Sequence, residues 1–253
     1  RLQGDWSSDV CSSDLVTGAN RGIGKAIVAG ALQRGAQKVY AAVRRLSTAD
    51  ALVAEFGARV VPIHLDLQDP SSIVEAAKIA QDVHHVINNA GVANLTRALS
   101  QEAVASLEYE VNVNVSGLIR VAQAFAPILK ANGGGSFSQL NSVVSVKTFA
   151  EVATYSASKA ASYAITQALK EDLAAQGTHV VSVHPGPIKT DMAVDAGFGE
   201  GAADPSLVAD QLFEAIRNHS FHVFPDPVAQ QFWQGYQGYA EAVIEARQPI
   251  PVH

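Results

Sequence analysis

The sequence predicts an α/β protein with a doubly wound parallel sheet, three layers and a single domain. Short apolar segments alternate along the chain with longer segments of helical periodicity, and each apolar segment ends at a glycine, a proline or a polar cluster. No linker-like stretch divides the 253 residues. This alternation favours β-α-β units with right-handed crossovers, in which the strands are parallel and helices cover both faces of the sheet.

The elements follow from that alternation in chain order. A first strand leads into Thr17, and buried strands are predicted over residues 38–43, 59–65, 83–87, 136–140, 179–184 and 220–224. Helices are predicted over about 22–34, 48–56, 71–80, 101–131, 153–175 and 206–218. The aromatic segment after Pro225 has two interpretations, a docked tail and an oligomer contact.

The first strand is the element that the sequence supports least. Residues 7–16 contain four serines and two aspartates, a composition that suits a buried central strand poorly. Either the strand is short and strained, or residues 1–14 are an atypical, non-native leader before a single domain of residues 15–253. The strand at 136–140 is also more polar than is usual for a buried strand.

Composition argues against several classes of function. The formal net charge is −6 and the only adjacent basic pair is Arg44-Arg45, so neither nucleic acid nor an anionic membrane is an expected partner. No apolar run reaches the roughly 18 residues that span a bilayer. The single cysteine, Cys11, excludes an internal disulfide and a cysteine-based zinc site, and the histidines lack metal-ligand spacing. We therefore expect a soluble, cytoplasmic protein without a bound metal.

A glycine-rich turn at residues 17–24 (TGANRGIG) separates the first strand from the first helix. Its glycines let the backbone approach a diphosphate closely, and the free amides of a helix N-terminus favour an anion. In nicotinamide-binding folds an acidic residue about 20 positions further on accepts the adenosine ribose hydroxyls, and here that position is Arg44.

The arginines bear on the choice of cofactor. A guanidinium binds a 2′-phosphate, and Arg21 in the turn offers a second cation besides Arg44, so the sequence predicts NADP(H) rather than NAD(H). The alternative is that both arginines are solvated surface charges. Asp66, which follows the third strand, is predicted to contact the adenine ring, to cap the next helix, or to do both.

A tyrosine and a lysine lie four residues apart on a predicted helix. Tyr155 and Lys159 therefore share one face, and a nearby ammonium lowers the pKa of a phenol toward the range in which it exchanges protons. Ser142 follows a predicted strand, at the edge where the carboxyl ends of parallel strands form a ligand crevice. By itself this serine is typical of a turn, but in that crevice its hydroxyl is placed to hydrogen-bond a substrate carbonyl.

The sequence resembles the single-domain branch of the short-chain dehydrogenases/reductases over about residues 15–225. Six motifs occur in the family's order, with the serine 13 residues before the tyrosine. They are TGANRGIG at 17–24, NNAG at 88–91, NVSG at 114–117, Ser142, YSASK at 155–159 and PGPIKTD at 185–191. The resemblance implies a Rossmann-like fold and an NADP-preferring oxidoreductase; the polar first strand departs from it.

The resemblance also implies a role for each motif. Tyr155 is implied as general acid or base, Lys159 as the ligand of the nicotinamide ribose that lowers the pKa of the tyrosine, and Ser142 as the group that orients the substrate oxygen. Asn114, rather than Asn112, is implied to hold a water beside Lys159. The cofactor-binding residues, implied or predicted, are Gly18, Asn20, Arg21, Gly22, Ile23, Gly24, Arg44, Asp66, Leu67, Asn89, Ala90, Gly91, Tyr155, Lys159, Pro185, Gly186, Ile188 and Thr190.

Two functions stay open. The first is an oxidoreductase that transfers hydride between NADP(H) and a carbonyl compound or a secondary alcohol. The second is a non-catalytic Rossmann-fold regulator or redox sensor that binds NADP(H). Such a protein does not need Asn114, Ser142, Tyr155 and Lys159 together.

The substrate and the assembly follow only in outline. The predicted pocket wall, residues 143–151 and 192–205, is mostly small or apolar, with Lys147 as the possible exception, so we expect a small or medium neutral ketone or aldehyde. Gly197, Gly199 and Gly201 predict a mobile lid. The resemblance implies a homodimer or homotetramer that assembles through the helices at 101–131 and 153–175.

Overall fold

The computed structural model describes residues 12–191 and 201–246. The predicted lid glycines Gly197 and Gly199, the residue Cys11 and most of the suspected leader lie outside these ranges. Within them, seven strands form one sheet: β1 (Ser13–Thr17), β2 (Lys38–Val43), β3 (Val60–His64), β4 (Val83–Asn88), β5 (Ser136–Leu140), β6 (His179–Val183) and β7 (His222–Val223). All are parallel, in the order β3-β2-β1-β4-β5-β6-β7. The order reverses between β1 and β4, which confirms the doubly wound sheet.

Helices connect the strands. They are α1 (Gly22–Gln33), α2 (Asp50–Phe56), α3 (Pro70–Ile79), α4 (Ala103–Val111), α5 (Gly117–Ala131), α6 (Ala153–Ala174), α7 (Pro205–Asn218) and α8 (Pro227–Tyr239). The helix predicted over 101–131 is confirmed from Ala103 to Ala131, with a wider π turn at Asn112–Ser116 between α4 and α5. Such turns often occur at functional sites, and this one carries Asn114.

Three helices begin with the same Asp-Pro signal. The carboxylates of Asp69, Asp204 and Asp226 accept hydrogen bonds of 2.9 to 3.1 Å from amides of the first turns of α3, α7 and α8. Proline suits the first helical position because its missing N–H would be unpaired there. The cap of α3 is therefore Asp69, and the prediction that Asp66 caps it is wrong. The same signal marks α8, which the sequence analysis left without an element.

Two apolar cores enclose the sheet. One contains α3, α5 and α6, with Leu118, Phe125 and Phe137 fully buried; the other contains α1, α2 and α7, with Ile27 and Leu212 fully buried. Each such side chain contributes roughly 1.5–3 kcal/mol through its removal from water. Helices on both faces of one sheet confirm the predicted three layers.

The strand β1 is polar and yet central. It pairs with β2 and β4 on its two sides, and all five of its residues are buried. Ser13 Oγ donates to Asp82 at 2.8 Å and Thr17 Oγ1 donates to Asn88 at 3.1 Å, whereas Asp14 Oδ1 has no partner among the described residues. Burial raises the pKa of Asp14 to about 7. Ser13 and Asp14 are thus residues of β1, and the non-native leader over residues 1–14 stays a prediction.

The aromatic segment after Pro225 is docked on the body of the protein. Phe232, Trp233 and Tyr236 of α8 pack against a small cluster around Val143 and Phe224, and the Trp233 ring stacks on the Phe224 ring at 5.0 Å. This cluster lies beside the loop that follows β5. The docked interpretation is confirmed, and the oligomer contact stays a prediction.

Candidate active site

The glycine-rich turn lies where β1 meets α1. Gly18 has a φ of +63°, and a Cβ at Gly24 would lie 2.1 Å from the Gly18 carbonyl oxygen, so both positions require glycine. Asn89 Nδ2 donates to Thr17 O at 2.9 Å, and Ala90 N donates to Thr17 Oγ1 at 2.9 Å. The segment after β4 therefore holds the turn in place.

The N-terminus of α1 differs from those of α3, α7 and α8. Its cap residue, Arg21, has extended backbone and makes no side-chain hydrogen bond to the first turn. The first-turn amides and the positive end of the helix dipole therefore receive no carboxylate from the cap residue. This helix start is suited to bind an anionic ligand.

A cleft of about 380 Å³ runs along the carboxyl edge of the sheet. Sixteen of the predicted cofactor residues line it: Gly18, Asn20, Arg21, Gly22, Ile23, Gly24, Arg44, Asp66, Leu67, Asn89, Ala90, Gly91, Tyr155, Lys159, Pro185 and Thr190. Residues that the sequence analysis did not select also line it: Val43, Arg45, Thr48, Leu65, Gln68, Val92, Tyr109, Val113, Leu140, Asn141 and Asp191. Of these, Arg45 and Thr48 could have been found as neighbours of Arg44 after the second strand.

Two predicted cofactor residues do not line the cleft. Ile188 is 3% exposed and packs in the core around α1 and α7. Gly186 N donates to Asp226 Oδ2 at 2.7 Å, which ties the segment after β6 to the start of α8. Thr190 does line the cleft. It lies against the glycine-rich turn, where a Cβ at Gly22 would be 2.8 Å from the Thr190 Cγ2.

The three arginines around the cleft are in different states. Arg21 Nη1 forms an exposed ion pair with Asp191 at 2.7 Å, which bridges the glycine-rich turn and the segment after β6. Arg44 and Arg45 are exposed, and neither forms an ion pair with another described residue. Of these three arginines, the two that have no ion pair within the described part of the chain both follow β2.

The loop after β3 also lines the cleft, through Leu65, Asp66, Leu67 and Gln68. Asp66 Oδ1 accepts a hydrogen bond from Gln68 N at 3.0 Å, and Arg120 Nη1 donates to Leu67 O at 2.8 Å. These contacts hold the loop against α5. The Asp66 carboxylate is thus available to line the cleft rather than to cap α3.

The phenol, the serine hydroxyl and the ammonium converge at the other end. Ser142 Oγ donates to Pro185 O at 3.4 Å and accepts from Val144 N at 3.3 Å, and the serine hydroxyl is near enough to the Tyr155 phenol to lower its pKa. Lys159 Nζ donates to Leu140 O at 2.7 Å and lies 5.8 Å from the centre of the Tyr155 ring. Residues from β5, its following loop and α6 thus meet at one point.

Burial dominates the ionisation of this pair. It raises the pKa of Tyr155 to about 12, against the lowering effect of the Ser142 hydroxyl, and the carboxylate of Glu110 raises it further. Burial lowers the pKa of Lys159 to about 8. The phenol is therefore protonated near neutral pH, and its pKa is shifted in the opposite direction to the lowering implied for a lysine neighbour.

Both the oxygen and the nitrogen of the Asn114 side-chain amide are hydrogen-bonded. Its Oδ1 accepts from Val92 N at 2.9 Å, and its Nδ2 donates to Val92 O and to Ser158 Oγ, both at 2.9 Å. A Cβ at Gly91 would lie 3.1 Å from Asn114 Oδ1 and 3.5 Å from Lys159 Nζ, so both groups border the same space. The competing residue, Asn112, accepts instead from Arg120 Nη2 at 3.1 Å.

The described part of the predicted pocket wall carries an aromatic contact beside a lysine. The Phe149 ring meets the Phe232 ring edge-on at 6.3 Å, and Lys147 Nζ lies 6.0 Å from the Phe149 centroid. Residues 192–200 of the predicted wall lie outside the described ranges.

Neither a membrane segment nor a metal site is found in the described ranges. No helix there is long and apolar enough to cross a bilayer, and no group of three or more His, Cys, Asp or Glu is placed to hold a metal ion.

Comparison with known proteins agrees with this geometry. The model of the short chain dehydrogenase family matches residues 14–199. An uncharacterized oxidoreductase of Staphylococcus epidermidis is 32% identical over 211 residues, which are 81% of this chain and 91% of that protein.

Solved structures are similar over almost the whole chain. A short chain dehydrogenase from Burkholderia cenocepacia, in complex with NADP, is 31% identical with a TM-score of 0.83, over 94% of this chain and 98% of that one. A short chain dehydrogenase/reductase from Burkholderia phymatum, in complex with NAD, has a TM-score of 0.79 at 22% identity, over 95% and 98% of the two chains. The second likeness concerns the fold alone.

Proposed function

The chain belongs to the short-chain dehydrogenase family and is an oxidoreductase, and on that premise we propose that it reduces ketones or aldehydes with NADPH, or oxidises the corresponding secondary alcohols with NADP⁺. The observation that carries the proposal is that Tyr155 and Lys159 line the cleft side by side, with the Ser142 hydroxyl close to the Tyr155 phenol. A regulator that only binds a dinucleotide would not need this group.

The cleft fits a dinucleotide phosphate. The glycine-rich turn is tight enough for close backbone approach, and the α1 start has no capping carboxylate from its own cap residue. Backbone amides at the start of α1 would hold the diphosphate. Arg44 and Arg45 would bind the 2′-phosphate, and Lys159 would bind the nicotinamide ribose. When bound, the nicotinamide supplies or accepts the hydride.

Side chains of the protein donate the proton and hydrogen-bond the substrate oxygen. In reduction, the Tyr155 hydroxyl donates its proton to the carbonyl oxygen, while the Ser142 hydroxyl donates a hydrogen bond to the same oxygen and stabilises its developing charge. The Lys159 ammonium then stabilises the phenolate left on Tyr155. Because the pKa of Tyr155 is about 12, the phenol is in the donor form at neutral pH, which favours reduction.

The substrate that suits this site is a neutral ketone or aldehyde of small or medium size. The described wall after Ser142 includes Val143, Val144, Val146 and Phe149. Its charged residues are Lys147 and Glu151, and the Glu151 carboxylate is already paired with Arg97 at 2.7 Å. An apolar wall provides no partner for a charged substrate group.

Assembly into a homodimer or homotetramer belongs to the same proposal. The surface of α4 and the preceding loop exposes large apolar side chains, including Leu99, Val104 and Leu107. A second copy of the chain would remove this apolar surface from water.

The test of the function is turnover against a panel of neutral aldehydes and ketones with NADPH and NADH. Tyr155→Phe removes only the hydroxyl, so we expect kcat/KM to fall by about 100-fold or more, while the Kd for NADPH stays within about twofold of the wild type. Retained turnover in this variant would remove Tyr155 from the mechanism. Tight NADPH binding without turnover of any panel member would favour the non-catalytic regulator instead.

Cofactor preference is tested at Arg44. Arg44→Asp places a carboxylate beside the 2′-phosphate, so we expect the ratio of kcat/KM for NADPH over NADH to fall by at least about 10-fold. Lys130→Asp makes the same charge change at the C-terminus of α5, away from the cleft, and serves as the matched control. An equal effect of both substitutions, or no effect of either, would contradict the assignment of Arg44.

A further inference from the structure

His184 is a fully buried histidine directly behind the loop that carries Ser142. It follows β6 and is 0% exposed. Its ring stacks on Phe224 at 4.7 Å with an interplanar angle of 7°, and it meets Tyr163 edge-on at 4.7 Å. The ring is therefore held in one orientation, and burial lowers its pKa to about 3, so it is neutral.

Both ring nitrogens are hydrogen-bonded. Nδ1 lies 2.8 Å from Ser145 Oγ and 3.3 Å from Ser142 O, and Nε2 lies 2.7 Å from Ser182 Oγ. Ser145 Oγ lies 2.5 Å from Ser142 O, a carbonyl that only accepts, so the Ser145 proton is directed there. The Ser145 oxygen consequently accepts from Nδ1–H of His184.

The other side of the ring has the matching polarity. Asn141 Nδ2, which only donates, lies 2.9 Å from Ser182 Oγ, so the Ser182 proton is free to go to Nε2 of His184. Asn141 Oδ1 accepts from Ser162 Oγ at 2.8 Å. A neutral imidazole with its proton on Nδ1 satisfies every one of these bonds.

The result is a hydrogen-bond chain in which each member donates to the next. It runs from Ser162 on α6 through Asn141, Ser182, His184 and Ser145 to the carbonyl of Ser142. Ser162 lies three residues after Lys159, on the helix that also carries Tyr155. The chain thus links the helix of the phenol and the ammonium to the loop of the serine hydroxyl.

We propose that His184 is a positioning residue for Ser142, acting through Ser145 to hold the serine loop in register with α6. The proposal deepens the carbonyl reductase proposed above and rests on it. Position matters here because the Ser142 hydroxyl must reach the same substrate oxygen as the Tyr155 hydroxyl, and catalysis is sensitive to small displacements of such groups.

The test uses Ser145, which is only half-buried, because a His184 variant would also disturb the aromatic packing. Ser145→Thr and Ser145→Val have the same shape and differ in the hydroxyl alone. We expect kcat for carbonyl reduction to be about 5- to 10-fold lower in S145V than in S145T, with the Kd for NADPH equal in both. Backbone amide exchange of residues 141–147 should be faster in S145V than in S145T.

Amide exchange separates this proposal from the proposed function. Equal exchange in the two variants overturns the positioning role, whatever the activity. Faster exchange in S145V with equal kcat on an active enzyme also overturns it, because the held position would then be immaterial. The third outcome is faster exchange in S145V together with a wild-type protein that reduces no carbonyl. This outcome supports the hydrogen-bond chain and rejects the proposed function.

The tautomer of His184 provides an independent measurement. Nitrogen-15 NMR of the wild-type protein should show a neutral ring with the proton on Nδ1 between pH 5 and 9. A proton on Nε2 would reverse the direction of the chain and overturn the proposal.

Discussion

The strands β1 and β5 lie on either side of β4, and both carry polar residues into the centre of the protein. In β5, Gln139 Oε1 accepts from Asn88 Nδ2 at 2.7 Å, and Ser136 Oγ lies 2.8 Å from His85 Nδ1. In β1, Asp14 is 2% exposed and its Oδ1 has no donor within the described ranges. Ser13 and Thr17 of β1 do have partners, and Ser138 of β5 has none among the described residues, so the main contrast is between the ionisable Asp14 carboxyl and the paired amide of Gln139.

The difference teaches how buried polarity should be interpreted. A buried polar group destabilises a protein when it lacks a partner and is close to neutral when it has one. The partners of β5 come from the neighbouring strand, and the same strand leads to the Ser142 loop. The polarity of β5 is therefore part of the framework of the site, whereas the carboxyl of Asp14 opposes folding.

The largest effect that would sharpen this contrast is the pH dependence at Asp14. Its pKa in the folded protein is about 7, above the ordinary value of 3.8, so between these values the folded state binds more protons than the unfolded state. Stability from this group is therefore present below about pH 4 and is lost as the pH rises toward 7. Asp14→Asn removes the titration, and we expect it to be more stable than the wild type by about 2–4 kcal/mol at pH 8.

The measurement is urea unfolding of both proteins at pH 4.5 and pH 8. The difference between the two free energies of unfolding should be small at the lower pH and grow toward the higher one. A difference that is constant across this range would show that Asp14 is ionised in the folded protein and has a partner.

A smaller effect in the opposite direction is expected at Gln139. Gln139→Leu retains the approximate volume but leaves Asn88 Nδ2 buried without its acceptor. We expect a loss of about 1–3 kcal/mol in the free energy of unfolding, measured by urea titration at pH 7.

The matched control lies one residue away on the same strand. Ser138 is fully buried, and its Oγ has no partner in the part of the chain that the structure describes. Ser138→Ala therefore removes no hydrogen bond and should change the free energy of unfolding by less than about 0.5 kcal/mol, or raise it. If S138A costs as much as Q139L, partnership does not explain the contrast between the strands.

Much of the fold and part of the site could be predicted from local patterns. The strands and helices follow from hydrophobic periodicity, and the glycine-rich turn follows from its own residues. Tyr155 and Lys159 share a face because a helix has a fixed period. In the structure Gly186 and Ile188 anchor the segment after β6, and their role in cofactor binding stays a prediction.

The sequence by itself determined the order and type of the elements, the turn at residues 17–24 and the spacing of Tyr155 and Lys159, because these depend on neighbours a few residues away. Only the tertiary structure decided which buried polar groups are paired, that Arg21 of the three cleft arginines forms an ion pair, and how His184 comes to lie behind Ser142. These outcomes depend on partners from distant parts of the chain. Asn88 and Gln139, or Ser145 and His184, meet only when parallel strands align their carboxyl ends at one edge of the sheet.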